Sequence, residues 1–306
     1  MSLLRKDHEG KGHRKGDQII RQSTSAGTFY PGEKDKLLEL LGAAYAGAGA
    51  KDPEVVRSKD VSCGISPHAG IVFSGGPAAR LYSEISKAMP SRFIVIGPNH
   101  QGVGGPVSVM EEGEWATPLG TVQVDSGLAS SLIDNSDLIV DDPVAHRYET
   151  NSVEVQLPFI QYLTDDFTFV PMLLNPQDLD SAIDVTQAIL ASAGDDVCVI
   201  ASTDLVHFGA GYGYTPVRGG EKEVLEWIEK HDRQVLTMLV EQDVEGLYDF
   251  LSSFNYTMCG YGAAVIASLF ASHNKLSGTV LDYTNSYALS KDTYRIVGYG
   301  SLIYRK

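Results

Sequence analysis

Cysteine is scarce. Cys63, Cys198 and Cys259 are the only three in 306 residues, too few for the bridged framework that holds small secreted domains together. A reducing, cytoplasmic setting is therefore expected. Long apolar runs are missing too: no stretch approaches the roughly 18 residues a membrane-spanning helix needs, so no membrane span is expected. Positive charge is short. Lys and Arg number 24 against 39 Asp and Glu, a net charge of −15, and a chain so acidic lacks the basic face by which a nucleic-acid binder neutralises phosphates. Residues 1–21 carry charge but no apolar core, unlike a secretory signal, and read as a disordered leader. There is no internal repeat and no low-complexity block. The Gly-rich segments at 102–105 and 211–213 match neither a dinucleotide fingerprint nor a P-loop.

What is present is a globular composition, 43% apolar and 21% charged, long enough to bury a substantial core. Apolar, β-branched runs read as strands at 61–67, 93–97, 167–174 and 196–202. Between and after them lie helical patterns at 32–46, 77–88, 152–163, 177–193, 221–240, 244–252 and 260–272. Two closing strands fall near 279–285 and 296–304. Val107–Met110 and Thr121–Val124 flank Thr117-Pro118-Leu119-Gly120 in the manner of a hairpin. Alternation of this kind predicts an α/β fold, a mostly parallel central sheet flanked by helices, in one domain over residues 22–306.

Three of the eight histidines stand where an apolar run stops. His68 closes Val61-Ser62-Cys63-Gly64-Ile65-Ser66-Pro67-His68, and His100 closes Phe93-Ile94-Val95-Ile96-Gly97-Pro98-Asn99-His100. His207 follows the run that begins at Val197 and ends in Ser202-Thr203-Asp204-Leu205-Val206. In open α/β sheets the carboxyl ends of strands are where ligands collect, and three histidines on three strands suggest one convergent site. Neutral imidazole binds zinc, iron and copper. A carboxylate beside an imidazole fixes its tautomer, so Asp204 is a candidate orienter of His207, which suits either a general base or a ligand. Asp204 also fits a plain helix cap. Cys259 opens the small-residue segment Gly260-Tyr261-Gly262-Ala263-Ala264, where a helix N-terminus would lower a thiol pKa. Cys63 and Cys198 sit inside apolar strands and read as core. Glu154, beyond His146 and Glu149, either faces the site or decorates a helix. Asn99 is held beside His100 on a loop stiffened by Gly97-Pro98.

Seven motifs in fixed order carry a resemblance. They are Ser25-Ala26-Gly27-Thr28-Phe29-Tyr30-Pro31, Pro67-His68-Ala69-Gly70 with Ser74-Gly75, Gly97-Pro98-Asn99-His100, Thr117-Pro118-Leu119-Gly120, Ser152-Val153-Glu154-Val155-Gln156-Leu157-Pro158, Ser202-Thr203-Asp204-Leu205-Val206-His207-Phe208-Gly209 and Met258-Cys259-Gly260. Together they resemble the Memo family over about residues 21–304. That resemblance implies a fold similar to the class III extradiol (LigB-like) dioxygenases, which hold iron with two His and a Glu and use another His as acid/base. It would make His68 and His100 two metal ligands, put Cys259 where the carboxylate ligand stands, and put His207 at the acid/base position. It also implies iron or copper as cofactor. Two departures stand out. Cysteine in place of the carboxylate makes a softer set, one that suits copper or zinc as readily as iron. Thr150 and Asn151 occupy the place where the family often has a His.

Three functions follow. One is a metal-dependent, dioxygenase-like redox enzyme acting on a small molecule, with His68, His100 and Cys259 as ligands, His207 and Asp204 moving protons, and Glu154 and Asn99 lining the pocket. The second is a binding or scaffold protein that uses the same cleft for a peptide, a reading the resemblance brings from the family's eukaryotic branch, where phosphotyrosine peptides are partners. The third is a metal-free hydrolase with Cys259 as nucleophile. Apolar surface on the closing strands would allow a homo-oligomer.

Overall fold

The computed structural model describes residues 19–149 and 151–306. Its strands are β1 (Ile20–Arg21), β2 (Ser62–Ser66), β3 (Arg92–Pro98), β4 (Val107–Val109), β5 (Glu114–Thr117), β6 (Gly120–Val124), β7 (Ile139–Asp141), β8 (Thr168–Leu174), β9 (Val197–Ser202), β10 (His207–Phe208), β11 (Ser277–Asn285) and β12 (Ile296–Arg305). The helices are α1 (Lys34–Gly47), α2 (Ile71–Ser86), α3 (Ser126–Asp134), α4 (Ala145–Tyr148), α5 (Leu157–Leu163), α6 (Leu179–Ser192), α7 (Glu221–Glu241), α8 (Val244–Phe254), α9 (Tyr261–His273) and α10 (Tyr287–Ser290). Among the described residues the strands form one mixed sheet in the order β1-β5-β6-β8-β3-β9-β2-β12-β10, with β11 on β12 and β4 on β8 and β7. The centre, β6-β8-β3-β9-β2, is parallel throughout. The margins are antiparallel at β2-β12, β12-β11 and β5-β6. The expected α/β class, mostly parallel with helices on both faces, is what forms.

The uninterrupted apolar character of the central strands follows from burial on both faces. Side chains alternate across a strand, so on β3 Phe93 and Val95 pack with α1, α2 and α5, through Leu41, Tyr82 and Phe159. Ile94 and Ile96 face the opposite way, into a core shared with Val185 of α6, Leu236 of α7 and Ala264 of α9. No helix among the described residues is long and apolar enough to cross a membrane.

Three local expectations need correction. The helix expected over 77–88 begins earlier, at Ile71, so that Ser74-Gly75-Gly76 lies inside α2 and Pro77 falls in its interior. A Cβ at Gly75 would sit 2.9 Å from Ile71 and 3.4 Å from the Ala44 methyl, so the glycine there serves close packing of α2 against α1. The hairpin about Pro118 is real but is formed by β5 and β6, whereas β4 pairs with β8 and β7. Order also reaches further back than Gln22: Ile20–Arg21 forms β1, parallel to β5. The rest of the expected leader, residues 1–18, lies outside the described residues.

What draws Arg21 in is electrostatic. Its guanidinium pairs with Glu154, and the two side chains are only 3% and 0% exposed. It stacks 3.9 Å over the Trp115 ring and donates to the carbonyls of His146 (2.7 Å) and Glu149 (2.8 Å). The Glu154 carboxylate also accepts from the Ser23 hydroxyl (2.6 Å), the Thr24 and Ser25 amides (both 2.9 Å) and the Tyr30 hydroxyl. Burial works against its charge, but Arg21 and these donors outweigh burial and hold the carboxyl below its usual range. Removing one partner of such a pair strands the other charge in the interior. Glu154→Ala is therefore expected to lose ~3–5 kcal/mol of unfolding free energy, read by urea denaturation; a loss within the error of the measurement would contradict the clamp.

Candidate active site

The parallel register of β2, β9 and β3 fixes where the site lies. β9 sits between the other two, with Ser66 level with Ser202 and Ile96 level with Ala201. Their carboxyl ends therefore release Pro67-His68, Asn99-His100 and Thr203–His207 at one edge of the sheet. Cys259 joins them from the turn before α9. The backbones meet closely there: a Cβ at Gly260 would lie 2.7 Å from the Ser202 carbonyl, and the Gly260 amide donates to the Thr203 hydroxyl at 2.9 Å.

The result is a cavity of about 330 Å³ lined by Phe29, His68, Ala69, Gly70, His100, Gln101, Asn151, Asp204, His207, Tyr212, Val297 and Tyr299. The ligating atoms of His68, His100 and Cys259 lie within 4.8 Å of one another, and so do those of Asp204, His207 and Cys259. His68 Nε2 is 3.2 Å from Cys259 Sγ, and the two imidazoles meet edge to face with centroids 5.3 Å apart.

Each imidazole is tethered through Nδ1. His100 Nδ1 meets Glu149 Oε1 at 2.9 Å, while the other oxygen of Glu149 accepts the His100 amide at 2.7 Å. His207 Nδ1 lies 3.0 Å from the Thr257 carbonyl and 3.2 Å from that of Leu205; carbonyls only accept, so Nδ1 carries a proton and, in the neutral ring, Nε2 keeps its lone pair. His68 Nδ1 meets Ser202 Oγ at 3.0 Å. That hydroxyl also accepts from Gln156 Nε2 at 2.8 Å.

Burial dominates the titration behaviour. It pushes the His68 imidazole down to about 4, with Asp204 opposing and His100 and His207 adding to the depression. It pushes the Cys259 thiol up to about 12, helped by the Asp204 carboxylate. The expected lowering by a helix N-terminus is thus overturned: Cys259 stands before the Gly260 cap, and desolvation next to a carboxylate outweighs the dipole. Burial also opposes charge on Glu149, yet the His100 ring and amide hold its carboxyl below the usual range.

Other expected residues fall elsewhere. Asp204 lines the cavity but does not orient His207; its Oδ1 accepts the His68 amide at 2.9 Å, and carbonyls do the orienting. Glu154 is absent from the cavity wall because its oxygens are used up in the Arg21 clamp. Asn99 also stays out, its side chain closing its own loop through Val103 O (2.7 Å) and the Gly102 amide (3.0 Å). His146 is buried with its ring edge-on to Trp115, centroids 5.5 Å apart. Asn151 lines the cavity and donates to the His68 carbonyl at 3.0 Å; Thr150 lies outside the described residues.

A profile of the Memo-like protein family matches residues 21–303. The chain belongs to this family. It is 39% identical over 299 residues to the MEMO1 family protein of Pyrococcus abyssi, spanning 94% of this chain and 100% of that protein. Identity is 38% over 300 residues to the MEMO1 family protein of Pyrococcus furiosus and 38% over 298 residues to that of Methanobrevibacter smithii, again with 94% and 100% coverage.

Reading the motifs of this Memo-like chain missed the residues that hold the histidines from behind. Glu149 stands 49 residues from His100 in the chain, and nothing in the sequence links the two. Gln156 gave no signal. Fully buried, it donates to Pro67 O (2.9 Å) and Ser202 Oγ, and accepts the Tyr82 hydroxyl at 3.0 Å. Gln156→Leu leaves those groups unpaired. It is expected to cost ~1–3 kcal/mol in urea unfolding, and a variant as stable as the parent would contradict this role.

Proposed function

We propose that this Memo-like protein is a metal-dependent redox enzyme, dioxygenase-like in reaction type, working in the 330 Å³ cavity. The observation that carries the reading is the clustering of His68, His100 and Cys259 ligating atoms within 4.8 Å. The donor set fits a cation. Two imidazoles and a sulfur suit iron, copper or zinc. His100 is backed by a carboxylate, the arrangement that fixes the ring of a metal-ligating histidine and raises its basicity. His68, held neutral by burial, has its ligand lone pair available.

Iron or copper held by His68, His100 and Cys259 would supply one-electron chemistry. The protein groups do the rest. His207, its Nδ1 proton tied to Thr257 O, presents a basic Nε2 and moves a proton to or from a bound small molecule. Asp204 pins the His68 backbone and places negative charge on the cavity wall. Phe29, Tyr212 and Tyr299 offer aromatic surface to the substrate and exclude water from one side. The likeness to LigB-type enzymes implied by the motifs supports the same assignment of roles.

The peptide-binding alternative gains nothing from the wall, where no Lys or Arg stands among the described residues that line it. The thiol-hydrolase reading is weakened further. A nucleophilic cysteine needs its thiolate near neutral pH, and burial keeps this one a thiol.

Metal analysis of untagged protein tests the reading. The parent should carry or take up about one iron or copper per chain, and Cys259→Ser and His100→Ala should lose it. Glu149→Gln should keep the site but weaken it by roughly 10–100-fold, as removal of such outer partners does. A parent that takes up neither Fe(II) nor Cu(I) under anaerobic reconstitution would overturn the proposal.

A further inference from the structure

Behind the cavity sits a carboxylate that the proposed chemistry does not use. Asp232, on α7, is 0% exposed. Among the described residues no cation offsets its charge; the groups acting on it are the Tyr256 and Tyr283 hydroxyls and the Val206 amide. Val206 N donates to Oδ1 at 3.1 Å, the Tyr256 hydroxyl donates to the same oxygen, and the Tyr283 hydroxyl donates to Oδ2 at 2.8 Å. Gly298 is pressed against it: a Cβ at 298 would fall 2.0 Å from Oδ2. Gly298 is itself stitched to the site loop, through Leu205 N to Gly298 O (2.8 Å) and Gly298 N to Val206 O (2.9 Å).

Stability alone does not explain this residue. A buried charge without an ionic partner is costly, and burial pushes the Asp232 carboxyl up to about 6 despite its three donors. The sign is definite. A folded-state pKa above the unfolded one means that the charged form weakens the fold as pH rises through that value. A neutral residue of the same shape would be at least as stable. What a carboxylate offers that an amide does not is acceptor capacity on both oxygens with no proton of its own.

Those acceptors reach two segments of the site. Val206 adjoins His207. Tyr256 adjoins Thr257, whose carbonyl holds the His207 ring and whose hydroxyl exchanges hydrogen bonds with the His207 backbone, accepting from N at 2.9 Å and donating to O at 3.0 Å. Three residues on from Tyr256 is Cys259. We propose that Asp232 is a positioning residue of the cavity, its carboxylate locking the 204–207 and 256–259 segments in register so that His207 presents Nε2 to the ligand. The inference rests on this cavity being the working site and deepens that reading. It does not depend on which metal is bound.

The test is Asp232→Leu, which removes both acceptor oxygens, followed by nitrogen NMR of the histidine rings in metal-free protein, at a pH where His207 is neutral. The His207 signal, protonated at Nδ1 in the parent, should shift toward the Nε2-protonated form or a mixture. Tyr256→Phe should cause the same shift, and it decides the matter if Asp232→Leu does not fold. Tyr283→Phe, which reaches the other oxygen from β11, should leave His207 as in the parent. An unchanged His207 signal in both Asp232→Leu and Tyr256→Phe would overturn the proposal. A shifted signal in a protein whose parent binds no metal would leave this inference standing and sink the proposed function alone.

Discussion

The parallel register of three neighbouring strands is the constraint on which the site depends. β2, β9 and β3 are buried on both faces, so their side chains interlock with the helices on each side, and a slip of one residue would swap the set that each helix layer packs against. With the register fixed, the three strand ends stop at one level. The polar residues that follow each end have nowhere to go except one shared edge. His68, His100 and the 204–207 segment converge for that reason, and the turn before α9 brings Cys259 in over the top.

A second layer then makes the convergence chemically specific. Histidines that merely met at an edge would be free to flip and to choose either tautomer. Here Ser202, Glu149 and the Thr257 carbonyl take up the three Nδ1 atoms. Two of these holders depend on more distant groups. Ser202 is held by Gln156, and the turn carrying Glu149 is braced by Arg21, which is itself locked to Glu154. The N-terminal strand β1 is in this way tied to the orientation of His100, and the Glu154 carboxylate acts at a distance although it never meets the cavity.

Much of this was legible in the sequence and the rest was not, for physical reasons. Strand runs at 93–97 and 196–202 are visible because burial on both faces demands continuous apolar residues, and histidines placed at the ends of such runs are an economical signal of convergence. Cys259 was legible through its small-residue surroundings, but its titration was not: the helix-terminus argument is local, whereas the burial that raises its pKa comes from residues far away in the chain. Glu154 was misplaced for the same reason. An acid next to a site motif carries no mark of whether its partner is a ligand or an arginine more than a hundred residues earlier. Asp204 was paired with the wrong histidine because three-residue spacing suggested a local contact, while the strand end turned its carboxylate toward the His68 amide. Gln156 and Asp232 act through hydrogen bonds to other elements, which no periodicity encodes. The start of α2 was expected at 77 rather than 71 because the packing of Gly75 against α1 is invisible in one dimension.

The central claim is that two imidazoles and one thiolate of this chain hold a metal, and X-ray absorption at the metal edge tests it most directly. With zinc as the probe, the account predicts one sulfur neighbour at about 2.3 Å and imidazole nitrogens at about 2.0–2.1 Å, with the sulfur signal abolished by Cys259→Ser. A spectrum fitted by nitrogen and oxygen alone, identical in the parent and in Cys259→Ser, would contradict it.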